Sequence, residues 1–171
     1  MARQAKFRKG IFDVIIGDAE SLPLRNCSFD IGFVYNGLHH LPDPYLAIRE
    51  LDRISREVII LIDIINSILT KLLNFLGLYR YEGHTCMKPN RLDNKKLREM
   101  LKRLNYEFCM YYCFGYLPSL ARNNYLLKKI FKKVNSLLWK KPLLGLVFGN
   151  MVIVIGYKQR STFKRIPNAN A

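Results

Sequence analysis

A run of five apolar residues, Val58-Ile-Ile-Leu-Ile62, constrains the fold of this chain more than any other feature. Successive side chains of a strand point to opposite faces of its sheet, so both faces of such a strand must be covered. Continuous apolar strands of this kind are typical of parallel sheets in α/β proteins. Residues 12–17 and 29–35 are rich in β-branched and aromatic residues and are bounded by turn residues. They are therefore predicted to be two further strands of the same sheet.

Helical patterns alternate with these runs. Asp43 is a favoured N-cap residue, Pro44 suits the first helical position, and the apolar spacing continues to Ile54, which predicts a strand, helix, strand unit. Further predicted elements are a helix over 64–76, a helix capped by Asp93 and closed by Asn105, a strand over 107–114, a helix near 123–140 and a strand over 151–155. The sequence predicts one three-layer α/β domain whose last two strands are antiparallel.

Basic residues are concentrated in the carboxy-terminal third. The formal net charge is +15, of which +11 falls on residues 108–171, because no Asp or Glu follows Glu107. An excess of this kind favours an anionic partner such as a membrane surface, an acidic substrate or nucleic acid.

The cysteines and the apolar segments bear on location. Cys27, Cys86, Cys109 and Cys113 form no CxxC pair, which favours reduced thiols and a cytoplasmic protein. The first residues lack the apolar stretch of a secretory signal, and the apolar segment 142–157 is too short and too interrupted to span a bilayer. We expect no transmembrane helix.

A Gly-Asp-Ala sequence follows the first predicted strand, at residues 17–19. Open α/β sheets bind ligands at the carboxyl ends of their strands. There, the Asp18 carboxylate could accept a hydrogen bond from an exocyclic amine while the Ala19 amide donates to a ring nitrogen, and these two contacts identify an adenine edge. An aspartate in this position can equally be a turn or cap residue.

The same region resembles a known family. The motif Gly-Asp-Ala-Glu-x-Leu-Pro, then Ser-Phe-Asp and a strand, then Leu-His-His-Leu-x-Asp-Pro, and then a helix with Arg-Glu-Leu-x-Arg is similar to the class I S-adenosylmethionine-dependent methyltransferases of the ubiquinone/menaquinone-biosynthesis type. The resemblance extends over about residues 1–158, and residues 159–171 look like a polar tail. It implies a Rossmann-like methyltransferase fold, mostly parallel with an antiparallel carboxy-terminal strand pair.

The resemblance also implies a cofactor and its site. In that family the residues matching Asp18 and Ala19 contact the adenine of S-adenosyl-L-methionine. The residues matching Tyr35, Asn36 and Gly37 lie beside its methionine part. His39 and His40 follow in the same loop. His40 is a candidate general base for the methyl acceptor, although transfer from a sulfonium depends mainly on positioning.

Two signatures of the family are missing from these 171 residues. They contain neither the glycine-rich turn after the family's first strand nor the acidic residue that holds the ribose. The chain is therefore expected to be the carboxy-terminal two thirds of a methyltransferase domain. On the family's strand order, the missing strands would leave unpaired edges between residues 12–17 and 29–35.

The histidines and the basic helix allow further interpretations. His39, His40 and His84, with Cys86 or Asp43, match no zinc spacing, so no metal site is expected. The basic amphipathic helix near 123–140 can be a lid packed on the sheet or an interfacial helix on anionic lipid, and nucleic-acid binding is less favoured because no recognised motif accompanies the charge.

These observations together predict a methyltransferase acting on a small or lipid-like acceptor. The alternative is a non-catalytic remnant that serves as a binding or partner subunit. The sequence identifies neither the oligomeric state nor the methyl acceptor.

Overall fold

The computed structural model of the chain describes residues 13–76, 90–113 and 125–159. Along these residues run β1 (Phe29–Tyr35), α1 (Pro44–Ile54), β2 (Ser55–Ile64), α2 (Ile68–Phe75), α3 (Asn94–Arg103), β3 (Tyr106–Cys113), α4 (Tyr125–Lys140), α5 (Pro142–Phe148) and β4 (Met151–Lys158). A short 3-10 turn, Leu38–His40, follows β1.

The strands form one mixed sheet in the order β1-β2-β4-β3. β1 and β2 are parallel, whereas β4 is antiparallel to both β2 and β3. The predicted α/β fold with an antiparallel carboxy-terminal strand pair is confirmed, and β4 ends at Lys158. β2 lies inside the sheet, which explains why its sequence is apolar almost throughout.

One face of the sheet carries the core. Ile59 and Leu61 of β2 are fully buried against Ile48 of α1 and against Leu97 and Leu101 of α3. The helix residues recur at three- and four-residue spacings, so each helix turns one apolar stripe towards the sheet. This packing holds α1 on β1 and β2 and α3 on β3.

The predicted helix caps are confirmed. Asp43 Oδ1 accepts a hydrogen bond from the Tyr45 amide at 2.9 Å, at the start of α1. Asp93 Oδ1 accepts from the Lys95 and Lys96 amides at 2.9 and 3.1 Å, at the start of α3. Asn105 closes α3 with a φ of 61°, the left-handed conformation that asparagine tolerates.

The strand predicted over residues 12–17 was wrong for the described residues 13–17. They are irregular, and Asp18 makes only an isolated bridge to Ser21. Ile16 is 86% exposed. A strand exists only where a neighbouring strand takes up its backbone hydrogen bonds, and none of the described strands lies beside this segment.

The helix predicted over 64–76 begins four residues later than expected. Ile64 still belongs to β2, where it pairs with Met151 of β4. Ile65 then forms a bridge with Leu92. Pairing with a sheet neighbour therefore overrode the helical apolar spacing of residues 64–67.

The outer strand β1 is covered on one face only. Gly32 and Val34 face α1, and an added Cβ on Gly32 would lie 2.8 Å from Leu51 Cδ1. The opposite face presents four exposed apolar side chains, those of Phe29, Ile31, Phe33 and Tyr35. The expectation that both faces of the sheet are covered was thus wrong for β1. Among the described helices, none is long and apolar enough to cross a membrane.

Candidate functional site

The polypeptide turns away from the sheet directly after β1. Asn36 adopts a φ of 53°, and its amide donates to the Ile62 carbonyl oxygen of the parallel neighbour β2 at 2.7 Å. Asn36 and Gly37 are half-buried there, whereas Tyr35, the last residue of β1, is exposed. The loop from Asn36 to Asp43 therefore starts at the carboxyl edge of the parallel strand pair, which is where open α/β sheets bind ligands.

A buried histidine and aspartate fix this loop to β2. Asp63 is fully buried, and its Oδ1 lies 2.6 Å from His39 Nδ1. The Leu38 amide donates to Asp63 Oδ2 and the Ile64 amide to Oδ1, both at 2.7 Å. A carboxylate removed from water needs such donors, since an unpaired one is costly. The pair therefore holds the 3-10 turn against the end of β2.

This histidine and aspartate pair was missed from the sequence. Asp63 is the one acid within the apolar stretch Val58–Ile65, and a buried carboxylate requires a donor. His39 was available in the loop after the neighbouring strand. That coincidence was the signal that could have identified the pair.

His40 has a different environment from His39. It is exposed, while its ring centroid lies 3.9 Å from that of His39 with the planes tilted by 44°. The anchored His39 thus supports His40 from one side and leaves it accessible at the edge of the sheet.

The Gly-Asp-Ala segment forms a tight turn at the same edge. The Glu20 amide donates to Asp18 Oδ1 at 2.9 Å, so one carboxylate oxygen of Asp18 serves the turn. Within the described residues, no hydrogen bond engages Asp18 Oδ2 or the Ala19 amide. An acceptor and a donor on successive residues are thus left for a ligand.

Glu20 joins the two segments. Its Oε1 accepts a hydrogen bond from the Asp43 amide at 2.7 Å, immediately before α1. The turn that contains Asp18 and Ala19 is therefore tied to the end of the loop that contains Asn36 and Gly37. The segments of Asp18 and Ala19 and of Asn36 and Gly37 are thus connected through this hydrogen bond, and the exposed Tyr35 directly precedes the second segment.

Glu50 and Arg53 of α1 hold the loop that follows this turn. The Leu22 amide donates to Glu50 Oε2 at 2.8 Å, and Arg53 donates to the carbonyl oxygens of Leu22 and Leu24 at 2.9 and 2.7 Å. The hydrogen bond from Arg53 lowers the pKa of the Glu50 carboxyl. The Arg-Glu-Leu-x-Arg motif thus has a structural function, since it holds the backbone of the loop after Asp18.

Gly37 leaves room beside the loop. An added Cβ would have its nearest neighbour, Val34 Cγ2, at 3.6 Å, which is ordinary contact. The fold itself therefore does not require glycine at this position. Together with the unused acceptor and donor of Asp18 and Ala19, this open space is compatible with a nucleoside-containing cofactor at this edge.

No metal site emerges from the described residues, in which no group of three or more His, Cys, Asp or Glu side chains comes together. His84 and Cys86 lie outside the residues that the structure describes. Of the other cysteines, Cys27, Cys109 and Cys113 are free thiols, and burial raises the pKa of Cys113.

Several known proteins with a similar sequence or fold are described as methyltransferases. Residues 1–61 match the methyltransferase-domain family. None of the curated proteins matches the chain. An S-adenosylmethionine-dependent methyltransferase of Thermotoga maritima, described as a possible histamine N-methyltransferase, has the same fold with a TM-score of 0.61. It is 21% identical, and the alignment covers 93% of this chain and 69% of that one. The chain thus has the fold of class I methyltransferases, and the sequence of its first third matches the methyltransferase-domain family.

Two further structures have a similar fold. An S-adenosylmethionine-dependent methyltransferase of Archaeoglobus fulgidus gives a TM-score of 0.55 at 20% identity, over 91% of this chain and 72% of that one. A Haloferax volcanii protein, a putative methyltransferase solved in complex with a methyltransferase activator, gives 0.58 at 12% identity, over 96% and 69%. The family resemblance implies S-adenosylmethionine as the cofactor.

Proposed function

We propose that this protein is a methyltransferase that binds S-adenosylmethionine at the edge formed by Asp18, Ala19, Tyr35, Asn36 and Gly37 and methylates a small or lipid-like acceptor. The observation that carries the proposal is the hydrogen bond between Glu20 and the Asp43 amide, which holds the adenine-type turn and the loop after β1 at one edge. The ubiquinone/menaquinone subtype suggested by the motifs stays a prediction.

Each group at this edge has a distinct task in the proposal. Asp18 Oδ2 accepts from the exocyclic amine of adenine, and the Ala19 amide donates to a ring nitrogen. Gly37 allows a ligand to approach the backbone closely. When bound, the cofactor supplies a sulfonium methyl group for in-line transfer to a nucleophile.

The two histidines have different roles in the proposal. His39, held by Asp63, positions the loop, and His40 is placed to take the proton that an acceptor hydroxyl or carbon acid releases. Methyl transfer from a sulfonium depends mostly on orientation of the two reactants. Replacing His40 should therefore slow the reaction less than loss of the cofactor contacts.

The test separates the turn from the ligand contact at Asp18. In the Asp18→Asn variant the side-chain oxygen can still accept from the Glu20 amide, while an amide donor replaces the acceptor Oδ2. We expect the melting temperature to stay unchanged and the dissociation constant of S-adenosylhomocysteine to rise on the order of 10-fold or more, measured by calorimetry. Asp13→Asn, an exposed aspartate in the same segment, is the charge-matched control. Equal affinities of the two variants would contradict the proposed adenine contact.

A second candidate function is that of a non-catalytic binding or partner subunit. The exposed apolar face of β1 favours it, because such a face at a sheet edge is suited to pairing with another polypeptide. Cofactor affinity separates the two functions. Specific binding of S-adenosylhomocysteine supports the enzyme, and absence of binding at millimolar concentration supports the subunit.

A further inference from the structure

Two helices beside β3, α4 and α5, and a third helix that packs on α5, α2, carry exposed apolar and basic side chains. α2 packs on α5, and α4 and α5 pack on each other and on β3, where Trp139 stacks on Tyr111 with ring centroids 4.4 Å apart. Exposed apolar side chains on these helices are Ile68, Leu72, Phe75, Leu126, Ile130, Leu137, Leu143 and Phe148. No Asp or Glu occurs in any of the three helices. We refer to this region as the α2–α4–α5 surface.

α4 carries an apolar stripe whose side chains are exposed in the described part of the protein. Leu138 is buried and anchors the helix, whereas Leu126 is 64% exposed and Leu137 47% exposed. Leu126, Ile130 and Leu137 follow one another at spacings of four and seven residues. At about 100° per residue these spacings place all three on one side of the helix.

A second stripe, of lysines, runs parallel to the first. Lys129, Lys133 and Lys140 repeat the same spacings three residues later, so they lie about 60° around the helix from the apolar stripe. Lys128 and Lys132 stand two residues after Leu126 and Ile130, about 200° around the axis, and are exposed on the other side. Only one of the two sets of lysines therefore borders the apolar stripe.

We propose that the α2–α4–α5 surface docks the protein on an anionic lipid bilayer. Leu126, Ile130 and Leu137 enter the interfacial layer, and Lys129, Lys133 and Lys140 extend to the lipid phosphates beside it. The +11 charge of residues 108–171 complements such a surface.

Other occupants fit these side chains less well. A second copy of the chain would bring lysine stripes together, and like charges repel. A nucleic acid would engage the lysines and leave the apolar stripe in water, although burial of apolar area is the larger gain. The proposal does not depend on the proposed methyl transfer. If both hold, the acceptor is a molecule that the bilayer delivers.

The test compares two double variants with the same net charge. The probes are vesicles of phosphatidylcholine alone and vesicles with about a third phosphatidylserine, in low and high salt, and the readout is co-flotation of the full chain. Each lysine in contact with an anionic surface raises the partition coefficient roughly fivefold. The double variant Lys129→Gln and Lys133→Gln should therefore lower it about 25-fold. Lys128→Gln with Lys132→Gln should lower it only a few-fold. Ile130→Ser with Leu137→Ser should also weaken binding, including at high salt.

Each result decides the proposal. Binding that requires phosphatidylserine and distinguishes the two lysine pairs supports it. Absence of binding to either vesicle, or equal losses for the two lysine pairs, would overturn it, since the second result indicates unspecific attraction by net charge. A duplex oligonucleotide that binds more tightly than the anionic vesicles would assign the surface to nucleic acid instead. Because all four lysines are exposed, circular dichroism should show an unchanged fold in both double variants.

Discussion

Two glycines of this chain, Gly37 and Gly145, differ in what surrounds them. An added Cβ on Gly37 meets nothing closer than 3.6 Å, whereas one on Gly145 would lie 2.5 Å from Tyr112 Cβ. Tyr112 cannot easily move, because its hydroxyl donates to Asn94 Oδ1 at 2.6 Å. Gly37 is thus available for a ligand, and Gly145 is required by the packing of α5 on β3.

Gly37→Ala and Gly145→Ala test this difference. The first should leave the melting temperature within about 2 °C and weaken binding of S-adenosylhomocysteine, because the methyl group occupies the approach to the backbone. The second should lower the free energy of unfolding by about 1–3 kcal/mol through overpacking. Thermal melts and calorimetry measure both quantities. Unaltered cofactor affinity in Gly37→Ala would argue against a ligand at this loop.

The adjacent histidines provide a second comparison. His39→Ala removes a buried donor from Asp63 and should lower the free energy of unfolding by about 1–3 kcal/mol in urea titrations. His40→Ala alters an exposed side chain and should cost less than about 0.5 kcal/mol. A larger loss for His40→Ala than for His39→Ala would contradict the assignment of His39 as the structural member of the pair.

At the residue scale, the sequence predicted single side chains well where their task is local. The caps Asp43 and Asp93 and the left-handed Asn105 depend on neighbours a few residues away, and all three were confirmed. The contact between His39 and Asp63 joins residues 24 positions apart. Only the sheet brings them together, so motif spacing alone did not reveal the contact.

At the scale of single elements, the charged N-cap residue Asp93 stabilises the start of α3. The hydrogen bond from Lys71 of α2 lowers the pKa of Asp93, whose Oδ2 lies 2.9 Å from Lys71 Nζ. Since the folded pKa is below the ordinary value of 3.8, the contribution of Asp93 to stability is complete above that value. It is lost as the pH falls through the folded pKa.

This linkage predicts a pH-dependent cost of the Asp93→Ala substitution. At pH 7 the variant should lose about 1 kcal/mol of unfolding free energy, from the cap and a partly exposed ion pair. The difference from the parent protein should shrink as the pH falls below about 4. Asp93→Asn retains a capping oxygen and should cost only a few tenths of a kcal/mol at pH 7. Urea titrations between pH 3 and 7 measure these values, and a cost independent of pH would contradict the account.

Lysine substitutions on the two faces of β1 should have opposite effects on stability. Phe33 is 58% exposed, so Phe33→Lys should leave the fold intact and reduce binding of an apolar fluorescent dye. Val34 packs against the core, and Val34→Lys should unfold the chain or lower its stability by several kcal/mol. If both variants melt like the parent protein, the orientation of β1 is wrong.

At the element scale, the sequence predicted those strands that find their partners within the described residues. β1, β2, β3 and β4 pair with one another. Residues 13–17 also have an apolar pattern, but they are irregular. Such a pattern forms a strand only when another strand is available to pair with it. The exposed face of β1 has a different cause, since α1 packs on one face of the strand and no other described helix packs on the opposite face.

At the scale of the whole molecule, the fold and the cofactor affinity rest on different observations. The four-stranded sheet belongs to a fold shared with methyltransferases, and residues 1–61 match the methyltransferase-domain family. The adenine contacts of Asp18 and Ala19 are our proposal. The 171 residues lack a glycine-rich turn and a ribose carboxylate of the family type. At about 1.5–3 kcal/mol for each lost polar contact, cofactor affinity of this chain should be at least a hundredfold below that of a site with all its anchors.

A titration of the isotope-labelled chain with S-adenosylhomocysteine, followed by amide nuclear magnetic resonance, tests the cofactor site most directly. The account predicts saturable shifts of the Ala19, Asn36 and Gly37 amides, with a dissociation constant on the order of 0.1–1 mM, and loss of these shifts in Asp18→Asn. Amides of β3, which lies at the far edge of the sheet, should not respond. No saturable shift at millimolar ligand, or shifts that avoid the Asp18 turn and the loop after β1, would contradict the account.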